Sequence, residues 1–184
     1  MLGRSRPVPS KTERLFAMST AYVAIETQLG LTADKHAGIT FKPVESSYFD
    51  QMRSELKDLL DISTKETNST YETRTDSYGY QWIILQDTEF ENLVATLHVV
   101  SEELLEQGFG DQLLAAVFKF DASEHGRTLY WLYNYKRGAF YPLAPTGKRQ
   151  RDNAYELRMS NAMSHELPVE QELERWYPMW DIPF

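Results

Sequence analysis

The chain has 184 residues, with 42% hydrophobic and 25% charged, which predicts one globular domain with a proper core rather than a disordered chain. Lys and Arg number 19 against 27 Asp and Glu, a formal net charge of −8 that disfavours nucleic-acid backbones and anionic lipid as general partners. There is no cysteine, so disulfides, thiolate metal sites and cysteine nucleophiles are excluded.

Residues 1–10 read as a flexible arm, because Pro7 and Pro9 disfavour helix, and residues 11–184 as one domain. Ser10 and Glu13 form an S-x-x-E capping box. Leu15, Met18, Tyr22, Ile25 and Leu29 follow at helical spacing and Gly30 closes the segment, which predicts a helix over 11–29. Residues 38–44 alternate as a short strand that Pro43 ends or places at an edge. Phe49, Met52, Leu56 and Leu59 predict a helix over 47–61 that opens at Ser47, and ISTKETNST, residues 62–70, reads as a polar loop.

Two extended segments around Asp76-Ser77 predict a hairpin with Tyr80, Trp82 and Ile84 on one face. The clearest helix is 88–107, with Phe90, Leu93, Leu97, Val100 and Leu104 on one side, a Thr88–Glu91 capping box and Gly108 at its end. Residues 112–120 and 127–135 are strongly β-prone and predict a second hairpin across the turn ASEHG. Lys136-Arg137-Gly138 reads as a turn, AFYPL as a strand, and TGKRQRD as a basic loop. A helix is expected at 153–165 and a short one at 169–176. Residues 166–184 thus form a closing helix and an apolar, proline-broken tail, WYPMWDIPF. Strand pairs joined by short turns predict an α+β fold, an antiparallel sheet with helices packed mainly on one face.

Known chemistry finds little purchase. His36, His98, His125 and His165 lie in no H-E-x-x-H or similar pattern, and His98 reads as a partly buried, hydrogen-bonded helix residue. Gly108-Phe109-Gly110 is half a dinucleotide fingerprint and follows a helix, so it reads as a helix cap. Glu102-Glu103 and the carboxylates from Glu170 to Glu174 read as solvated helix faces. No membrane span, secretory signal, cofactor or metal site is expected, and the simplest compartment is the cytoplasm.

One local feature runs against the acidic whole. Lys136, Arg137, Lys148, Arg149 and Arg151 place five cations within sixteen residues and flank Phe140-Tyr141. Cations in turns beside glycine are expected to be exposed. The candidate partner-binding set is Tyr78, Trp82, Lys136, Arg137, Gly138, Tyr141, Lys148, Arg149 and Arg151, suited to an acidic segment or anionic head group. The rival reading makes Arg137 or Arg151 structural, pinned to Asp152 or Glu156.

The strings DSYGYQWIIL (76–85), LLEQGFGDQLL (104–114), YNYKRGAFYPLAP (133–145), RDNAYEL (151–157) and ELPVEQELERWYPMW (166–180), with the opening LGRSRPVPSKTERLFAMSTAYVAIE, resemble the PspAB family over nearly the whole chain. The resemblance implies association with PspA, the membrane-remodelling coiled-coil protein of the phage-shock envelope-stress response, and genomic company with an HtpX-type membrane protease. It carries over no catalytic residue. The order of elements also resembles the small secretion-chaperone and YbjN-type α+β proteins, a fold analogy only. The expected function is a non-enzymatic adaptor or regulator working with a PspA-type partner, recruited at most peripherally to the inner face of the membrane. The alternative is a chaperone-like or ligand-binding module that holds a peptide, lipid head group or other anion on its sheet, in a groove lined by Tyr80, Trp82, Tyr130 or Leu132. An enzyme with a non-standard site is the remote third.

Overall fold

A computed structural model describes residues 10–122 and 126–184. The expected arm up to residue 9 and residues 123–125 of the ASEHG turn lie outside the described residues. The capping box at the chain's first described residues is reciprocal. Ser10 N donates to Glu13 Oε2 at 2.9 Å and Glu13 N donates to Ser10 Oγ at 3.2 Å. The helix it starts opens as a 3₁₀ turn, Glu13–Ala17, continues as α1, Met18–Leu29, and stops at Gly30, whose φ of 66° is left-handed.

Strand β1, Leu31–Phe41, follows at once, longer than expected and central rather than at an edge. Helix α2, Ser47–Thr67, corrects the expected loop at 62–70. Its polar last turns stay helical because Thr64 and Thr67 return their hydroxyls to the carbonyls of Leu60 and Ser63, and because Thr64 is buried with Leu60. Its cap is Ser46, which accepts from Phe49 N, not Ser47. Strands β2, Thr70–Thr75, and β3, Gln81–Gln86, form the expected hairpin.

Helix α3, Phe90–Glu106, buries the apolar face read from the sequence. Asp87 replaces the expected Thr88–Glu91 box, accepting from Glu89 N at 2.7 Å and Asn92 Nδ2 at 3.1 Å. Then come β4, Leu113–Ala122, β5, Arg127–Asn134, and β6, Ala139–Leu143. The basic loop is itself a small hairpin of β7, Pro145–Gly147, and β8, Gln150–Arg151, and leads into α4, Asn153–Met163. The helix expected at 169–176 is only a 3₁₀ turn, Leu173–Arg175. Its first residues are instead extended along the outer edge of β6, where Phe140 N donates to Pro168 O and Glu170 N to Phe140 O, both at 2.8 Å.

The six-stranded sheet has the order β2-β3-β1-β4-β5-β6, and every neighbouring pair is antiparallel. The fold is therefore α+β. Register sorts the side chains into two faces. Ala37, Ile39, Ile83, Phe118, Phe120 and Trp131 share one face, and the Phe90 ring of α3 packs there, 5.6 Å from Phe118 and from Phe120. Gly38, Trp82, Ile84, Val117, Tyr130, Leu132 and Tyr141 share the other. That second face is also buried, and what covers it is the segment at residues 176–184.

Candidate functional site

Two of the nine sequence-selected residues, Trp82 and Tyr141, lie on the second face of the sheet, and Arg151 stands beside it. Near its centre lies Gly38, over which the Phe184 ring packs. A Cβ built on Gly38 would stand 2.6 Å from Phe184 Cε1, so only glycine leaves room for the ring. Trp82 and Tyr130 meet the same ring edge-on, at centroid distances of 6.3 and 6.5 Å. The Trp82 indole N–H donates to Asp76 Oδ2 at 3.0 Å, in the turn between β2 and β3. Trp82 and Tyr141 are thus buried, which corrects the expectation that they present an exposed aromatic surface.

Side-chain donors on and beside the face read the main-chain carbonyls of the covering segment. Arg151 Nη1 donates to Trp176 O at 2.7 Å, Tyr141 to Tyr177 O at 2.8 Å, Arg74 Nη1 to Pro183 O at 3.3 Å and Tyr130 to Phe184 O at 2.9 Å. Burial pushes the Tyr130 phenol up to about 12, with the Asp121 and Asp34 charges adding to it, so it remains a protonated donor at neutral pH.

Two arginines expected to be free are instead structural. Arg151 donates from Nε to both oxygens of Glu156 at 2.9 Å and from Nη2 to Pro142 O at 3.1 Å. Glu156 also accepts from Ala144 N at 2.8 Å, and its side chain is only 1% exposed. Glu156 is one of the two partners the rival reading named; the other, Asp152, pairs with Arg127. Arg137 grips Glu170 with Nε at 2.7 Å and Nη2 at 3.1 Å, and Nη2 lies 3.6 Å from Glu172. This pair corrects the reading of Glu170 as a solvated carboxylate: its side chain is 5% exposed. The Arg137 hydrogen bonds hold the Glu170 carboxyl below its ordinary range and the arginine above its own. Gly138 sits at φ 63° in the turn, and a Cβ there would meet Lys11 Cγ at 3.0 Å, so its role is also conformational.

What stays exposed is smaller. Lys136, Lys148 and Arg149 are exposed, and among the described residues no carboxylate lies within ion-pair distance of them. Lys148 and Arg149 form the tip of the β7–β8 hairpin, where Arg149 takes a left-handed φ of 54°. Tyr78 is exposed at the β2–β3 tip and stacks on Tyr80 at 6.3 Å. Among the described residues no group of three or more metal-ligating side chains converges, and no helix is long and apolar enough to cross a membrane.

Sequence reading missed Gly38, Phe184 and Glu170 as parts of this arrangement. A signal was present: LLAAVF and LYWLY carry apolar residues at both parities of a strand, the mark of a sheet covered on two sides. WYPMWDIPF is apolar and outside every predicted strand and core helix, and it is the segment that supplies the second cover.

The model of the PspAB family, PspA associated protein B, matches residues 1–184. The chain belongs to the PspAB family. No curated protein and no solved structure matches it. The family's description links this PspAB chain to PspA and is not that of a known enzyme family.

Proposed function

We propose that this PspAB protein is a non-enzymatic adaptor that binds a PspA-type coiled coil and regulates it at the inner face of the cell membrane. The observation that carries the reading is the family match over the whole chain. The structure is compatible with it in a specific way. Its buried carboxylates, Glu156 and Glu170, are bound up with Arg151 and Arg137 in holding elements together rather than aimed at a cleft where chemistry could occur. The exposed Lys148-Arg149 tip remains for an acidic helix. A calorimetric titration of purified PspA into the full chain tests this. A complex that weakens from 50 to 500 mM salt is expected; no heat of binding at about 50 µM of each protein overturns the reading. An HtpX-type membrane protease is the second partner to try, by pull-down from detergent extract.

The second reading, a peptide-holding sheet, draws on one observation: the face that carries Trp82, Tyr130 and Leu132 is not open but covered by the chain's own residues 176–184.

A further inference from the structure

Residues 176–184 are held on the sheet in an unusual manner for a covering element. They form neither helix nor strand, and Pro178 and Pro183 keep them from doing so. Among the described residues, no main-chain hydrogen bond joins residues 177–184 to the sheet. Attachment comes from the four side-chain donors Arg151, Tyr141, Arg74 and Tyr130, each reading a carbonyl, and from one aromatic ring seated over a glycine. Every peptide carries carbonyls, so such donors accept any extended chain of matching spacing. The ring seat adds the side-chain selectivity.

The cover is also incomplete on its outer side. Trp176 is buried, but Tyr177 is 55% exposed, and Met179, Trp180, Ile182 and Phe184 are half-buried, while Trp82, Ile84, Val117 and Leu132 beneath are at most 3% exposed. The sheet face needs an apolar cover, and the present one leaves much of its own apolar surface in water.

We propose that this sheet face is a peptide-docking groove, that residues 176–184 occupy it as an intramolecular stand-in, and that its external ligand is an extended, aromatic-bearing peptide segment of a partner protein. This deepens the adaptor reading, on which it rests, by naming the surface through which the partner docks. The ligand seats one ring over Gly38 between Trp82 and Tyr130 and turns its carbonyls to the same donors. The tethered segment competes at an effective concentration on the order of millimolar, so the groove opens only to a ligand presented at high local concentration or with additional contacts.

The test uses the full chain and a fluorescent peptide, WYPMWDIPF, read by anisotropy. Phe184→Ala empties the ring seat in cis, and the peptide is expected to bind it at least tenfold more tightly than the wild type. Adding Gly38→Val to Phe184→Ala fills the seat and is expected to abolish that gain. Equal binding to all three proteins, or binding to none, overturns the groove. Because Gly38→Val also risks the fold, a second variant is read in parallel. Ser77 Oγ and Asp181 Oδ2 lie 3.5 Å apart and the chain has no cysteine, so S77C/D181C can be bridged over the segment by a short thiol-reactive cross-linker. The bridge is expected to block peptide binding that the unbridged variant retains; binding unaffected by the lock overturns the proposal. A concentration-dependent wild-type dimer that the lock prevents would assign the groove to a second copy's segment and overturn the external ligand. PspA that binds locked and unlocked protein equally overturns the groove as its dock and leaves the adaptor reading standing. PspA that binds neither overturns the adaptor reading, while the peptide result still decides the groove.

Discussion

Arg151 and Glu156 show how much of this molecule hangs on single side chains. The carboxylate is almost wholly out of water and accepts from a guanidinium and from Ala144 N. The guanidinium spends its remaining donors on the carbonyls of Pro142 and Trp176, so β6, α4 and the covering segment meet at one group. Removing either partner strands the other as a buried charge, which costs about 3–5 kcal/mol. Glu156→Ala and Arg151→Ala are therefore expected to lower the urea midpoint severely, and a loss of less than about 1 kcal/mol would contradict the assigned role. Arg137–Glu170 differs because its arginine is 37% exposed, so solvent screens the pair and its contribution is smaller. Its pH signature is still defined. The Glu170 carboxyl is depressed in the folded state, so its contribution is fully present above the ordinary glutamate value of about 4.3 and is lost as pH falls through the lower folded value. The melting-temperature gap between wild type and Glu170→Gln should be widest at neutral pH and close progressively below about pH 4. A gap that does not change with pH would mean the ionic part of the pair contributes nothing.

At the scale of elements, caps decide the boundaries. Asp87 holds the entry to α3 by accepting from Glu89 N and Asn92 Nδ2, and Ser69 at the end of α2 donates to it as well. Asp87→Ala releases all three and is expected to cost about 1–2 kcal/mol, the upper range for a lost cap, visible as a lowered denaturation midpoint. Substitution of Thr88, the residue the sequence pattern favours as the cap, should change little. Both hydroxyl and carboxyl candidates stood next to each other in the sequence, and only the backbone geometry at Glu89 chooses between them. The apolar faces of α1 and α3 and the strand pairs were legible because period and turn residues agree there. The end of α2 was not, because Ser-Thr-rich sequence ordinarily favours loops, and here burial of Thr64 and its bond to the Leu60 carbonyl override that preference. The 169–176 helix failed for the opposite reason: its pattern was acceptable, but the open edge of β6 recruits Val169 and its neighbours into an extended run. The positions of Arg137, Arg151, Trp82 and Tyr141 were legible as a group. The burial of Trp82 and Tyr141 and the contact of Arg151 with Trp176 were not, since they depend on residues 176–184, distant in sequence, and neither was the pairing of the still exposed Arg137 with Glu170.

Across the whole molecule, the net charge of −8 makes each unpaired cation conspicuous, and the structure divides the sequence-selected cations into two kinds. Arg151 is an internal strut, so reversing it disrupts the fold and any partner assay with it, while Arg137 braces Glu170 from a position that stays 37% exposed. Lys148 and Arg149 stand at a hairpin tip, exposed and without an ion-pair partner among the described residues. Arg149 adopts a left-handed φ that glutamate tolerates no worse than arginine, since neither is glycine or asparagine. K148E/R149E should therefore change folding stability by no more than about 0.5 kcal/mol. The same double reversal turns two attractive charges into two repulsive ones toward an acidic helix. It should slow association with PspA and raise the dissociation constant at low salt, with the difference from wild type shrinking as salt shortens the Debye length from about 10 Å at 0.1 M to about 3 Å at 1 M. Stopped-flow association at both salt concentrations checks this against chemical denaturation of the same samples. If stability is kept and the association rate is unchanged at low salt, the hairpin tip takes no part in docking. The covered face of the sheet would then remain the surface through which a partner is recognised, because its recognition is built from carbonyl-reading donors and an aromatic seat rather than from free charge.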